Sequence, residues 1–282
     1  MRSARNGMIL AAAVAIGACA TAAAPVSTSP AAMQAPANAS SGAAASTAAS
    51  GSYLAADAVD MFAVMPPAPR AGEAQYENDR RIFRDTRALE GTARWKMAAD
   101  DADLSTPNLL KHFSCSMGIE LTPQQAPRMV AMLQKATRDA SRVAGKAKDY
   151  YKRDRPFFID NGPLCVDRST VAGSYDYPSG HTTAGWSWAL VLAQVAPEHA
   201  NAIFARGRAI GDSRIVCGMH NASAVSAARL ATSATLDLVM VTPEYQADLA
   251  AARAELSALR ASPHATPDPA RCEQEVALEK IP

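Results

Sequence analysis

Apolar residues in this chain recur mostly at helical spacing, and the strict alternation that marks a half-buried strand is scarce. From Thr122 to Tyr151, the residues Met129, Met132, Leu133 and Ala136 fall on one helical face. Thr122 is placed to cap this helix; Pro127 lies inside the span, so the regular part can begin there, and Pro156 closes it. Glu73 to Asp101 is a second long helical stretch, with Gly91 as a break. Thr182 to Val195 predicts an apolar helix stopped by Pro197, and the segments 199–210, 222–239 and 243–259 predict further helices. Leu164 to Tyr177 carries glycine and serine and reads as a loop. The expectation is all-α: a single compact helical domain over 53–262, followed by a loose tail over 263–282, with no internal repeat.

The N-terminus reads differently. Arg2 and Arg5 precede an apolar stretch from Met8 to Ala18, too short for the roughly 20 residues of a membrane-spanning helix. Residues 1–24 therefore predict a signal peptide. Ile16-Gly17-Ala18-Cys19 also offers a lipoprotein site, which would end the signal at 18 and make Cys19 a lipid anchor. Residues 25–52 are almost all small or turn-forming and predict a disordered linker. Export to the periplasm follows from this pattern, and no later window is an apolar run of spanning length. Four further cysteines, Cys115, Cys165, Cys217 and Cys272, suggest two disulfides in an exported chain. Three pairings are open, with buried thiols as the plainer alternative. Cys165 with Cys217 is preferred because both flank the motifs described next, which leaves Cys115 with Cys272.

A net charge of +1 on 282 residues excludes a general nucleic-acid binder, so any anion site must be a local concentration of positive charge. Three segments supply one. Lys148 and Arg155 stand seven apart, two helical turns, so a continuing helix would put both on one face before Pro156. Tyr177-Pro178-Ser179-Gly180-His181 is a tight turn ahead of a helix, whose N–H groups favour an anion. Ser179 adds a hydroxyl, and His181 is a candidate general acid and base. Arg214 is a third cation, and His220 is a candidate nucleophile, since a neutral imidazole can attack phosphorus. Each segment alone has a plainer explanation: a solvated basic helix end, a capping turn, a structural histidine.

Together they resemble the signature of the class A bacterial non-specific acid phosphatases, of the type 2 phosphatidic-acid phosphatase and vanadium haloperoxidase superfamily. That signature reads K-x6-R-P, then P-S-G-H, then S-R-x5-H-x3-D. Lys148 with Arg155-Pro156, Pro178 to His181, and Ser213-Arg214 with His220 match it in order and spacing. Tyr53-Leu54, Pro66-Pro67, 100–105, 113–115 and 185–189 also look like that branch, so the resemblance covers about 53–260. It implies a compact helical domain, small-molecule phosphate-ester substrates, a phosphohistidine on His220 and no metal or other cofactor. Lys148, Arg155, Arg214, Ser179 and the Gly180 N–H would hold phosphate. His181 would protonate the leaving group and then deprotonate water.

Two positions depart from the pattern. Ala224 stands where the signature has aspartate, the carboxylate that would orient and charge-stabilise the nucleophilic ring. Asn221, Ser223, a main-chain carbonyl or a water is expected to take that bond, without negative charge. Tyr175-Asp176 is additional ahead of the Pro-Ser-Gly-His turn and reads as a carboxylate near the pocket mouth, or as harmless loop variation. The loss at 224 keeps open a phosphate-binding protein with weak or no catalysis. A lipid or diphosphate phosphatase and a vanadate-loaded haloperoxidase are further readings, disfavoured by the lack of spans and by the matches outside the motifs. The oligomeric state stays open. Asp100, Asp101 and Asp103 read as caps and turns rather than a metal site, His112, His199 and His264 as structural or exposed, and Trp186 and Trp188 as core.

Overall fold

The computed structural model describes residues 51–279. They form ten α-helices and short 3-10 turns, with no strand among the described residues. The helices are α1 (Met61–Val64), α2 (Ala74–Thr86), α3 (Ala93–Asp100), α4 (Thr106–Met117), α5 (Pro127–Tyr151), α6 (Gly180–Val195), α7 (Ala200–Val216), α8 (Ala222–Met240), α9 (Pro243–Ala261) and α10 (Pro269–Leu278). The expected signal segment, the Cys19 anchor and nearly all of the expected linker lie outside the described residues.

α6 is the centre of the bundle. It is apolar on nearly every side, as a helix surrounded by others must be, and it packs against α5, α7 and α8. Glycine sets the closeness of the α6–α7 crossing. A Cβ at Gly207 would lie 2.3 Å from the Ala189 Cβ, and one at Gly185 would lie 2.6 Å from Ile210 Cγ2. A short turn at 197–199 joins α6 to α7 and reverses the chain. The start of α6 and the end of α7 therefore share one end of the bundle, and α8 starts there as well. The main apolar core lies away from that end, around Phe113, Met132, Leu133, Trp188, Leu192 and Tyr245. Trp188 is within it, and Trp186 is partly buried with its Nε1 donating to Ser233 Oγ at 2.9 Å.

The expected helices are present with shifted ends. Gly91, at φ +75°, separates α3 from the turn that follows α2. α5 begins at Pro127, and Thr122 instead accepts from Gln125 in the preceding turn. α5 ends at Tyr151, the expected end, but the stop is made by Lys152 in a left-handed conformation, φ 45°, before Pro156 is reached. α4 was not anticipated; it is mostly buried and ends on Gly118 in the left-handed region.

Two boundaries are corrected. Ser52, assigned above to the linker, is buried, and its hydroxyl bonds to the Asp139 carboxylate. The segment 263–282, expected as a loose tail, contains α10, capped by Asp268 and opened by Pro269. A disulfide from Cys272 to Cys115 ties α10 to α4, with Cα atoms 5.3 Å apart. The second disulfide joins Cys165 to Cys217, so the preferred pairing is the one present. No single helix among the described residues is long and apolar enough to cross a membrane.

The acidic run after α3 proves more structural than a set of caps. Asp103 does cap, accepting from Ser105 N at 2.8 Å. Asp101 is fully buried and takes two hydrogen bonds from Arg206, at 2.5 and 3.2 Å, with Ser213 as a third donor. Arg206 is itself 1% exposed. Removing one partner of such a pair leaves an uncompensated buried charge. Arg206→Ala should lower stability by about 3–5 kcal/mol in urea titration.

Candidate active site

Three helix ends bring the candidate residues together. Lys148 sits in the last turn of α5, Ser179 caps α6, and Arg214 sits in the last turn of α7. The seven-residue reading of Lys148 and Arg155 is corrected in its mechanism. The helix stops before Arg155, so the two do not share a helical face. The left-handed turn at Lys152 reverses the chain, and Pro156 holds Arg155 extended at φ −74°, ψ 154°. Arg155 then bonds to the Ser174 carbonyl at 2.8 Å, the Met219 carbonyl at 2.8 Å and His220 Nε2 at 3.0 Å.

The Arg214–His220 spacing is a helix-ending reversal. Gly218 takes φ +75° and its N–H bonds to the Ile215 carbonyl. The N–H groups of Met219 and His220 return to the Arg214 carbonyl at 3.0 and 3.2 Å. Arg87 closes the remaining carbonyls, donating to Ile215 O and Val216 O at 3.0 and 2.7 Å. The nucleophile candidate is thereby fixed to the last turn of the helix that carries Arg214.

At the start of α6, the Ser179 hydroxyl accepts from Thr182 N, and Ser179 N donates to the Ala224 carbonyl at 3.0 Å. The first-turn N–H groups of Gly180 and His181 have no intrahelical acceptor and carry the positive end of the helix dipole. Lys148 is beside them: a Cβ on Gly180 would lie 3.9 Å from Lys148 Cε.

Among the described residues, the hydrogen bonds of Lys148 and Arg155 go to carbonyls, a hydroxyl and an imidazole, none to a carboxylate. Arg214 is 1% exposed, and its Nε and Nη1 are buried without a partner among those residues. Burial, and then the neighbouring Arg155, lowers the Arg214 guanidinium to about 10. Lys148 is lowered to about 8 for the same reasons. Desolvated cations with open hydrogen-bonding capacity are the electrostatic form of an oxyanion site.

Each imidazole has one nitrogen committed. His181 Nε2 lies 3.1 Å from the Ala102 carbonyl. A carbonyl only accepts, so Nε2 carries the proton and Nδ1 remains for chemistry. Burial, then Arg214, lowers this ring to about 3. His220 Nδ1 lies 2.8 Å from the Asp176 carbonyl and 2.9 Å from the Asp176 carboxylate, so Nδ1 carries the proton and Nε2 keeps its lone pair. Burial, then the three cations and His181, holds His220 well below the usual histidine range, so the ring is neutral.

Asp176 was the residue sequence reasoning misplaced. It is not at the pocket mouth but completely buried behind the imidazole. Of the expected acceptors for His220 a main-chain carbonyl is present, that of Asp176, but the carboxylate of the same residue joins it, so the acceptors are not all uncharged groups. Ala224 faces away into an apolar cluster with Tyr177 and Ala227, while Asn221 and Ser223 are donors to carboxylates. The signal available in the sequence was the coincidence of one missing and one additional aspartate. Of the remaining histidines, His112 is buried against Asp101, His199 ends the turn before α7 and is partly buried, and His264 is exposed.

A model of the PAP2 superfamily matches residues 132–247, a span that contains every candidate residue. An acid phosphatase of Zymomonas mobilis is 38% identical over 218 residues, 77% of this chain and 82% of that protein. Non-specific acid phosphatases of Providencia stuartii and Salmonella typhimurium are each 36% identical, covering 72% and 68% of this chain and 83% and 78% of those proteins.

The unpartnered Arg214 guanidinium sets stability against binding. Arg214→Met should leave the melting temperature unchanged or raised, because a buried charge is replaced by an apolar group. Calorimetric titration with inorganic phosphate should show affinity reduced roughly 10- to 100-fold, the worth of charged hydrogen bonds.

Proposed function

The chain belongs to the PAP2 superfamily and is an acid phosphatase, a phosphomonoester hydrolase, and we propose that it works through a covalent phosphohistidine on His220. The observation that carries this reading is the pairing of a neutral, oriented imidazole with three cations that have no hydrogen-bonded carboxylate partner among the described residues. Lys148, Arg155, Arg214, the Ser179 hydroxyl and the Gly180 N–H would hold the phosphoryl oxygens. Phosphoryl transfer asks mostly for such positioning and charge stabilisation.

In the first step, the Nε2 lone pair of His220 forms the N–P bond as the P–O bond to the leaving group breaks. The departing electron pair goes to the ester oxygen, which takes a proton from His181 Nδ1. In the second step, water attacks phosphorus and gives a proton to His181. The N–P bond breaks, and its electron pair returns to Nε2. His181 binds a proton weakly in the free site because cations surround it. A phosphate anion among those cations offsets their charge and favours the protonated ring the first step needs.

The two disulfides fit an oxidising compartment, and together with the N-terminal pattern they support an exported, periplasmic enzyme.

Rapid quench of p-nitrophenyl phosphate turnover should trap acid-labile, base-stable phosphate on His220, and His220→Ala should trap none. Turnover without any trapped phosphate at millisecond times would reject the covalent route. The pH dependence supplies a second measurement. Lys148 loses its proton above about 8 in the free enzyme, so kcat/KM should fall on the alkaline side of that value. kcat should fall less, because bound phosphate keeps Lys148 charged, and Lys148→Arg should move the alkaline limb upward.

A further inference from the structure

We propose that Asp176 is the positioning carboxylate of the nucleophile, replacing from the loop before α6 a group that Ala224 of α8 cannot supply. The inference rests on the reading of His220 as nucleophile.

The geometry is that of a built site. The Asp176 carboxylate is 0% exposed and is ringed by donors. His220 Nδ1 approaches Oδ1 at 2.9 Å, Asn221 N donates to Oδ1 at 3.1 Å, and Asn221 Nδ2 donates to Oδ2 at 2.8 Å. Arg153 Nη1 lies 3.4 Å from Oδ2, and the Arg153 carbonyl accepts from Asp176 N at 2.9 Å. Arg153 is in turn fixed by Asp79 of α2, at 2.8 Å, and by Ser223 of α8, at 2.7 Å. A buried carboxylate is tolerated only with such compensation. The arrangement forms a chain from Asp79 through Arg153 and Asp176 to His220.

Two functions follow from the two oxygen types. The Asp176 main-chain carbonyl and the carboxylate both accept from Nδ1, so the tautomer with an unprotonated Nε2 is fixed twice. Only the carboxylate can carry charge; burial pushes it up to about 6, so it is ionised at neutral pH. When Nε2 bonds phosphorus the ring becomes cationic, and the adjacent carboxylate stabilises that state as it does the imidazolium of a serine-protease triad. The proton stays on Nδ1 throughout. Asp176 therefore acts through His220 and touches no reacting atom.

Asp176→Asn separates these functions. The main-chain acceptor remains, so the rate of the phosphorylation burst with p-nitrophenyl phosphate should fall about 100- to 1000-fold, less than the roughly 10⁴-fold of a triad carboxylate-to-amide change. KM and the affinity for inorganic phosphate should stay within about threefold, a split that a merely structural role would not produce. A burst rate within threefold of wild type, or a parallel loss of phosphate affinity, would overturn the proposal. If the variant fails to fold, the wild-type protein still decides. Proton NMR with 15N-labelled histidine should show a slowly exchanging, far-downfield Nδ1 proton on His220, identified by its loss in His220→Ala. Rapid exchange, or a protonated Nε2, would overturn the proposal by itself. Wild-type protein that traps no phosphohistidine would sink the covalent reading instead, and the NMR signal would still report the Asp176–His220 pair.

Discussion

Like charges do not gather out of water without help, and the site depends on three cations doing so. Burial and the neighbouring Arg155 both disfavour the protonated forms of Lys148 and Arg214. The helices around them lessen the cost. Lys148 and Arg214 stand at the C-terminal ends of α5 and α7, where the dipole favours positive charge. α6, which begins at the site, presents its N-terminus, which favours the anion those cations would hold. The antiparallel crossing of α6 and α7, kept close by Gly185 and Gly207, puts both kinds of helix end at one place.

Among the described residues, three buried carboxylates stand behind the candidate site. Asp176 backs His220, Asp79 backs Arg153, and Asp101 backs Arg206 and Ser213, the neighbour of Arg214. Each is fully or nearly fully buried and multiply bonded. Negative charge is thus available to position groups without competing for the cations in front. The Asp101 pair also steadies the segment whose Ala102 carbonyl orients His181. The buried ion pair and the carbonyl that orients the candidate acid–base histidine therefore stand on adjacent residues, Asp101 and Ala102.

The candidate residues were legible because their chemistry is local and their spacing distinctive. Their mechanism of approach was not. A seven-residue interval suggested a shared helical face for Lys148 and Arg155, but the left-handed Lys152 makes it a reversal, which spacing alone cannot reveal. Asp176 was misread for a related reason. A residue ahead of a turn was assigned to the pocket mouth, whereas the loop folds under the imidazole, held by a backbone bond to Arg153 that joins positions far apart in sequence. α10 was missed because its pattern is weak on its own; the disulfide to Cys115 and contacts to α3 and α4 give it a place. The helical class and most helices were plain, since α5 and α6 carry unmistakable amphipathic or fully apolar patterns.

Signatures written with wildcards treat the intervals between named residues as free, and the reversal at Gly218 shows how little freedom such an interval can hold. Of the five residues between Arg214 and His220, Ile215 and Val216 give their carbonyls to Arg87. Cys217 is committed to Cys165, and its own carbonyl accepts from Cys165 N. A Cβ at Gly218 would meet Arg87 Nη1 at 2.5 Å and Leu164 Cδ2 at 2.7 Å, on a backbone already at φ +75°. The unnamed letters are therefore heavily constrained as well. For anyone designing a library, or weighing a sequence variant in this stretch, tolerance here is better judged by hydrogen bonds and available volume than by whether a position carries a letter in the pattern.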